Sequence, residues 1–199
     1  MVKALNKFNE KKLVYRVRVH KDTEAFGELY DRYVSKIYRF IYLKVSHKEE
    51  AEDIASEVFL KTWNYLTDVQ READKEIESF SGLIYTIART SLIDFFRSRA
   101  RRKECTIEVL EAVAHDANIE ESTTREQEIE VVLKNLKMMK REYQEIIVLK
   151  YIEELSTSEI SHILDKSAVS IRVTLHRALK ILKKMIEEKK STSRGKKKQ

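Results

Sequence analysis

Near the C-terminal end, Ser170, Arg172, Thr174, His176, Arg177 and Lys180 fall on the outward side of one helical repeat, with Ser167 in the turn before it. Hydroxyls and cations in that pattern suit phosphates and base edges. A second basic set lies earlier, where Arg97 to Lys103 reads RSRARRK. Covalent chemistry is harder to find. His20, His47, His115, His162 and His176 are scattered without partners at metal-ligand spacing, and neither H-x-x-x-C-x-x-C nor H-E-x-x-H occurs. No glycine-rich loop could cradle a phosphate. Cys105 is the only cysteine, which rules out an intramolecular disulfide and fits a reducing compartment. These residues describe a binder of polyanions; no catalytic role, cofactor or metal is expected.

The elements that must position them are helical. The chain has 199 residues, 36% of them charged and 42% hydrophobic, with three glycines and no proline. Long helices tolerate that composition, whereas strand-rich folds need turn residues more often. Phe26, Leu29, Tyr30, Tyr33, Val34, Ile37, Tyr38 and Ile41 recur at three- and four-residue steps, so a first helix is expected, capped by Asp22 or Thr23. A second carries Ala51, Ile54, Ala55, Val58, Phe59, Thr62, Trp63 and Leu66, with Ser46 and Glu49 spaced as a capping box. Its other face bears Glu50, Asp53, Glu57, Lys61 and Asn64. A polar loop, 67–79, leads to a third helix from about Ser81 to Arg101, with Leu83, Ile84, Ile87, Ala88, Leu92 and Phe95 inward.

Between Glu104 and Glu130 stand nine acidic residues against Arg125 alone. This stretch lacks sustained periodicity and reads as a flexible linker. Helical stripes resume with Ile129, Val132, Leu133 and Leu136, then Tyr143, Ile146, Ile147 and Tyr151. Ser156 and Glu159 form another capping box before a short helix. Asp165, Lys166 and Ser167 make a turn, and a longer helix runs from Ala168 to about Ile186, with Ile171, Leu175, Ala178, Leu179 and Leu182 inward. Short helix, tight turn and longer basic helix make a helix-turn-helix.

The net charge is +6, unevenly spread: two basic regions flank the acidic tether. That points to a polyanion bound at two places; the plainer reading is solvated helix faces and a disordered tail at Lys189–Gln199. No apolar run reaches the roughly 18 residues of a membrane span, and Met1 to His20 has no apolar core typical of a signal peptide. A cytoplasmic protein is the expectation.

Three segments resemble the small sigma factors of the extracytoplasmic-function (ECF) type in the sigma-70 family. AEDIASEVFLKTW (Ala51–Trp63), within Ala25–Leu66, is similar to regions 2.1 and 2.2. LIYTIARTSLIDFFR (Leu83–Arg97), within Phe80–Arg102, is similar to regions 2.3 and 2.4. EISHILDKSAVSIRVTLHRA (Glu159–Ala178), within Arg141–Lys184, is similar to region 4. The resemblance implies an all-α chain of two small helical domains: region 2 over 20–102, an acidic linker over 103–125, region 4 over 126–187 and a basic tail over 188–199. Core RNA polymerase is the implied partner, through the clamp helices of its largest subunit and its flap, with Glu50, Asp53, Glu57 and Lys61 on the docking face. Promoter DNA is the other, single- and double-stranded. Arg89, Thr90, Asp94, Arg97, Arg99, Arg101 and Arg102, with the loop 67–79, would read the −10 element and hold a flipped base; Asp94 could equally orient an arginine. Ser167, Ser170, Arg172, Thr174, His176, Arg177 and Lys180 would read the −35 element. An anti-sigma factor is a further possible partner. Departures from the family pattern are Ser56 for glutamine, Leu83 for tryptophan, Thr90 for asparagine, Asp165 for glycine and Thr174 for arginine; they leave the promoter sequence open.

A stand-alone helix-turn-helix regulator would explain the last helix pair and leave Ala51–Trp63 unexplained. A purely protein-binding adaptor leaves the basic run without a use.

Overall fold

The apolar stripes form the helices they imply, with displaced ends. A computed structural model describes residues 2–68, 77, 79–104 and 124–195, with side chains described for 9–68, 77, 79–101 and 131–187. Among them are eight α-helices and no strand: α1 (Val2–His20), α2 (Thr23–Val45), α3 (Lys48–Thr67), α4 (Phe80–Glu104), α5 (Thr124–Met138), α6 (Arg141–Ile147), α7 (Thr157–Leu164) and α8 (Ala168–Gly195). A wide π turn, Val148–Ile152, follows α6. The expectations on Cys105, the acidic linker over 105–123 and most of the loop 67–79 lie outside the described residues.

Asp22 is the N-cap of α2, its carboxylate accepting from the Ala25 amide at 3.0 Å and from Arg16 Nε at 2.8 Å. The amide and the guanidinium hold that carboxyl below its ordinary range, although burial opposes them. The capping box expected at Ser46 does not form. Ser46 instead closes α2 in a left-handed conformation (φ 63°), its amide donating to the Tyr42 carbonyl, and α3 starts after His47. The α2–α3 connection is so short that Ser46 must reverse the chain and is not available to cap the next helix.

The N-terminal core joins α2, α3 and α4 through aromatic pairs: Phe26 with Trp63, Tyr33 with Phe80 and Phe40 with Tyr85, at centroid distances of 5.1, 5.0 and 5.3 Å. Helix α1, which the stripes did not announce, closes this core with Leu13, Val14 and Val17. Its anchors are polar: the Tyr33 hydroxyl donates to Glu10 at 2.6 Å. Burial, with Glu10 alongside, pushes the Tyr33 phenol above its usual range.

The C-terminal core gathers Leu136, Ile146, Leu149, Ile160, Ile163, Ile171 and Ala178, all nearly or fully buried. Val132 and Tyr151, expected in the stripes, are exposed. The π turn widens the repeat after Ile147 and turns Tyr151 outward. Helix α8 runs past Ile186 to Gly195, through part of the stretch expected to be a disordered tail. Nothing before Gly195 breaks the helix, and Lys183–Glu187 adds an i,i+4 pair. Among the described residues no helix is long and apolar enough to cross a membrane.

The two cores are not merely tethered. Helix α4 packs against α7, and a seam of ionic and hydroxyl contacts joins the two units.

Candidate polymerase and nucleic-acid interfaces

On α3, the apolar stripe turns Asp53 and Glu57 to solvent. Glu57 pairs with Lys61 at 2.6 Å, and Lys61 also donates to the Ser91 hydroxyl of α4 at 3.1 Å. Glu50 receives Arg99 of α4 at 3.2 Å. Of the four residues expected to meet the polymerase, Asp53 and Glu57 project outward, and Glu50 and Lys61 also brace α3 on α4.

The residues expected at the −10 element divide into two sets. Thr90, Asp94, Arg97 and Arg101 are exposed and share one face of α4, at steps of four, three and four residues. Arg97 pairs with Asp94 at 3.5 Å, both side chains exposed. The Thr90 hydroxyl bonds back to the Thr86 carbonyl at 3.0 Å. Arg99 faces α3, and Arg89 faces α6, with its Nε 3.6 Å from Glu145 and in no hydrogen bond. Arg102 lies in α4, its side chain outside the described residues.

The helix-turn-helix forms as its turn residues require. Ser156 and Glu159 make the reciprocal capping box on α7. Asp165 takes the left-handed conformation (φ 52°) in the place where the family commonly has glycine. The Ser167 hydroxyl accepts from the Ser170 amide at 3.2 Å, so it caps α8 as well as standing at the turn. Ile171, Ala178 and Leu182 pin α8 inward. Arg172, His176, Arg177 and Lys180 are exposed, and Ser170 and Thr174 are half-buried. Two residues that sequence reasoning passed over, Val169 and Val173, stand exposed beside them. Apolar side chains among cations on such a helix can meet thymine methyl groups; the signal was their place one turn apart on the outward side.

The seam between the units is built from residues that sequence reasoning did not bring together, and Glu145, Glu153, Arg39, Lys44 and Tyr85 among them went unremarked. Glu153, its side chain fully buried, accepts from Arg39 Nε and Nη2 at 3.1 and 3.0 Å and from the Tyr85 hydroxyl at 2.5 Å. Burial and the neighbouring carboxylate raise the Tyr85 phenol well above its usual range, so it stays a proton donor. Glu159 accepts from Ser79 at 2.8 Å and Ser81 at 2.6 Å while it caps α7. Burial pushes its carboxyl up, but the bonds from Ser156, Ser81 and Ser79 outweigh that and hold it at about 2. Glu145 lies 3.5 Å from Lys44 and 3.6 Å from Arg89. Burial lowers the Lys44 ammonium below its ordinary value, Glu145 opposes the shift, and Arg141 and Arg89 add to it.

This architecture has relatives. A model of sigma-70 region 2 matches residues 29–102, and one of sigma-70 region 4 matches residues 129–182. The chain belongs to the sigma-70 family, in its ECF group. The ECF RNA polymerase sigma factor BldN of Streptomyces coelicolor is 29% identical over 168 residues, 84% of this chain and 62% of that relative's length. SigW of Bacillus subtilis is 28% identical over 84% of this chain and 91% of its own, and YlaC of the same organism is 27% identical over 87% and 99%. The fold matches CnrH, solved in complex with the cytosolic domain of CnrY, at TM-score 0.66 and 17% identity, over 90% of this chain and 98% of that one. It also matches RpoE of Bartonella quintana, solved with the anti-sigma factor NepR, at 0.64 and 20%, over 81% and 96%. This sigma factor therefore carries region 2 on α2–α4 and region 4 on α5–α8. Its family consists of transcription initiation factors, not catalysts.

Proposed function

We propose that this sigma factor docks on the clamp helices of core RNA polymerase through Asp53 and Glu57, with Glu50 and Lys61 at the edge, and sets region 4 near the flap. Helix α4 then takes the non-template strand of the −10 element along Thr90, Asp94, Arg97 and Arg101, with Arg89, Arg99 and Arg102 flanking. Helix α8 enters the major groove of the −35 element with Arg172, Thr174, His176, Arg177 and Lys180, and Ser167 and Ser170 meet the backbone at its N-terminus. No covalent step is involved: binding energy to the displaced strand drives opening, because an unstacked base needs new partners. The function is exercised in the cytoplasm, where the polymerase acts. An anti-sigma factor, as bound to the relative RpoE, is a further proposed partner.

The observation that carries this reading is the outward row on α8, Arg172, His176 and Lys180 at four-residue steps, beyond a properly capped turn. Run-off transcription from a random-promoter library, with core polymerase in the presence and absence of the protein, tests it. Protein-dependent transcripts from templates sharing two spaced elements are expected. A duplex shift by the protein alone, with no transcripts, would favour a stand-alone regulator.

A further inference from the structure

A cleft of about 390 Å³ lies where α2, α4 and α6 meet the end of α7. Four cations line it, Lys44, Arg89, Arg141 and Lys166, against two carboxylates, Glu142 and Glu145. Leu92, Ile93 and Phe96 of α4 and Leu164 of α7 give it an apolar wall. Ile93 and Arg141 are exposed, so the cleft is reached from solvent. A cavity of this size at the junction of two units, apolar with a few convergent polar groups, has the form of a small-molecule site.

The cations here are under-partnered. Glu145 serves two of them, at 3.5 Å from Lys44 and 3.6 Å from Arg89, both longer than an ordinary N–H···O hydrogen bond. Elsewhere in the same seam Glu153 takes Arg39 at 3.1 and 3.0 Å, so close pairing is within reach of these helices. Arg89 Nε is buried and bonds to nothing among the described residues. A buried donor left so costs stability that an acceptor would recover. Glu142 is taken by Lys166. Arg141 pairs with no carboxylate among the described residues; its guanidinium lies over the Phe96 ring, 4.1 Å from the centroid. Three positive groups, Lys44, Arg89 and Arg141, are left to one carboxylate. Burial lowers the Lys44 ammonium, and Arg141 and Arg89 press it further down, against the pull of Glu145.

We infer that this cleft binds a small organic anion: an acid group, phosphate or carboxylate, held by Arg89, Lys44 and Arg141, with a short, flat apolar body against Phe96, Leu92 and Leu164. Guanidinium forks match the oxygens of either acid group, and the ammonium adds a point charge beside them. The stack of Arg141 on Phe96 marks where the charged and apolar halves of the ligand meet. Lys44, Phe96, Arg141 and Leu164 have no part in the proposed promoter and polymerase contacts, so the site stands apart from that reading.

Titration calorimetry on the full chain tests this with phenyl phosphate and phenylacetate as probes. Inorganic phosphate stands for the acid group alone and benzyl alcohol for the body alone. The better probe should bind with a Kd below about 1 mM, and which of the two it is names the acid group. Inorganic phosphate and benzyl alcohol should each bind roughly tenfold more weakly or worse, since each meets half of the site. Arg141 is exposed, so Arg141→Gln keeps the fold; it should weaken the better probe by about tenfold through loss of one charge-assisted contact. Phe96→Leu should weaken the probe several-fold and leave inorganic phosphate unaffected. If Phe96→Leu does not fold, amide shifts of the parent carry the same expectation: the probe should move 141–145 and 92–96 and spare α8 beyond its first turn. Failure of both probes to bind overturns the site, as does inorganic phosphate binding as tightly as phenyl phosphate. Affinity indifferent to Arg141→Gln overturns it too, and places the anion on the basic face of α8.

Discussion

Arg99 of α4 donates through Nη1 to both carboxylate oxygens of Glu50 in α3, at 3.2 and 3.3 Å. One residue is proposed to face polymerase and the other DNA, so the pair couples the two binding faces of region 2. Both side chains are a third or more exposed, or nearly so, and such pairs contribute about 0–1 kcal/mol. A double-mutant cycle with Glu50→Gln and Arg99→Gln, read by denaturant unfolding, should give a coupling energy within that range. Glu50→Gln should also strengthen non-specific strand binding at low salt by freeing Arg99.

The Tyr85 hydroxyl is a single-atom handle on the joint between the units. Tyr85→Phe keeps the ring against Phe40 and removes one donor to the buried Glu153 carboxylate. A hydrogen bond to a charged group contributes about 1.5–3 kcal/mol, so unfolding should become easier by about that amount, with the loss falling on the interdomain transition if two are resolved.

Acid should loosen the same joint through Glu159. Its carboxyl ordinarily titrates at 4.5 and here sits at about 2. A depressed carboxylate contributes stability that is fully present above its unfolded value and is lost as pH falls through the folded one. Stability should therefore decline between pH 4.5 and 2, and the decline should be shallower in Glu159→Gln, checked by urea titrations across that window.

Asp165 stands in a left-handed turn. Asp165→Gly should be tolerated, whereas Asp165→Val should cost about 1–2 kcal/mol and weaken duplex binding by disturbing the approach of α8. Thermal unfolding and a −35 duplex titration check both.

On α8, Arg172→Ala or Arg177→Ala should relax base preference at one −35 position by about 1–3 kcal/mol if that arginine reads guanine. Lys180→Ala should weaken binding to all sequences and flatten the salt dependence by about one phosphate. Competition titrations against single-base variants of the duplex, repeated at several salt concentrations, separate the two effects.

Apolar periodicity by itself determined α2, α3, α4 and the α7–α8 pair, because a buried stripe leaves its mark every three to four residues. The capping box at Ser156 and the turn at Asp165 were equally readable, since their chemistry is local. Ser46 was misread for the same reason: its spacing to Glu49 allows a box, but only the short reversal between α2 and α3 decides that it closes the earlier helix instead. Helix α1 escaped notice because three buried residues, Leu13, Val14 and Val17, suffice to dock it and its remaining anchors are polar. The seam was beyond reach from the chain alone. Arg39 and Glu153 stand 114 residues apart, and each looks like an ordinary surface charge until two cores meet. Periodicity can put a charge on a helix face but not name its partner on another helix, which depends on how rigid helices are brought together, so the order of Glu145, Glu153 and Glu159 along α4 was decided by the tertiary structure alone.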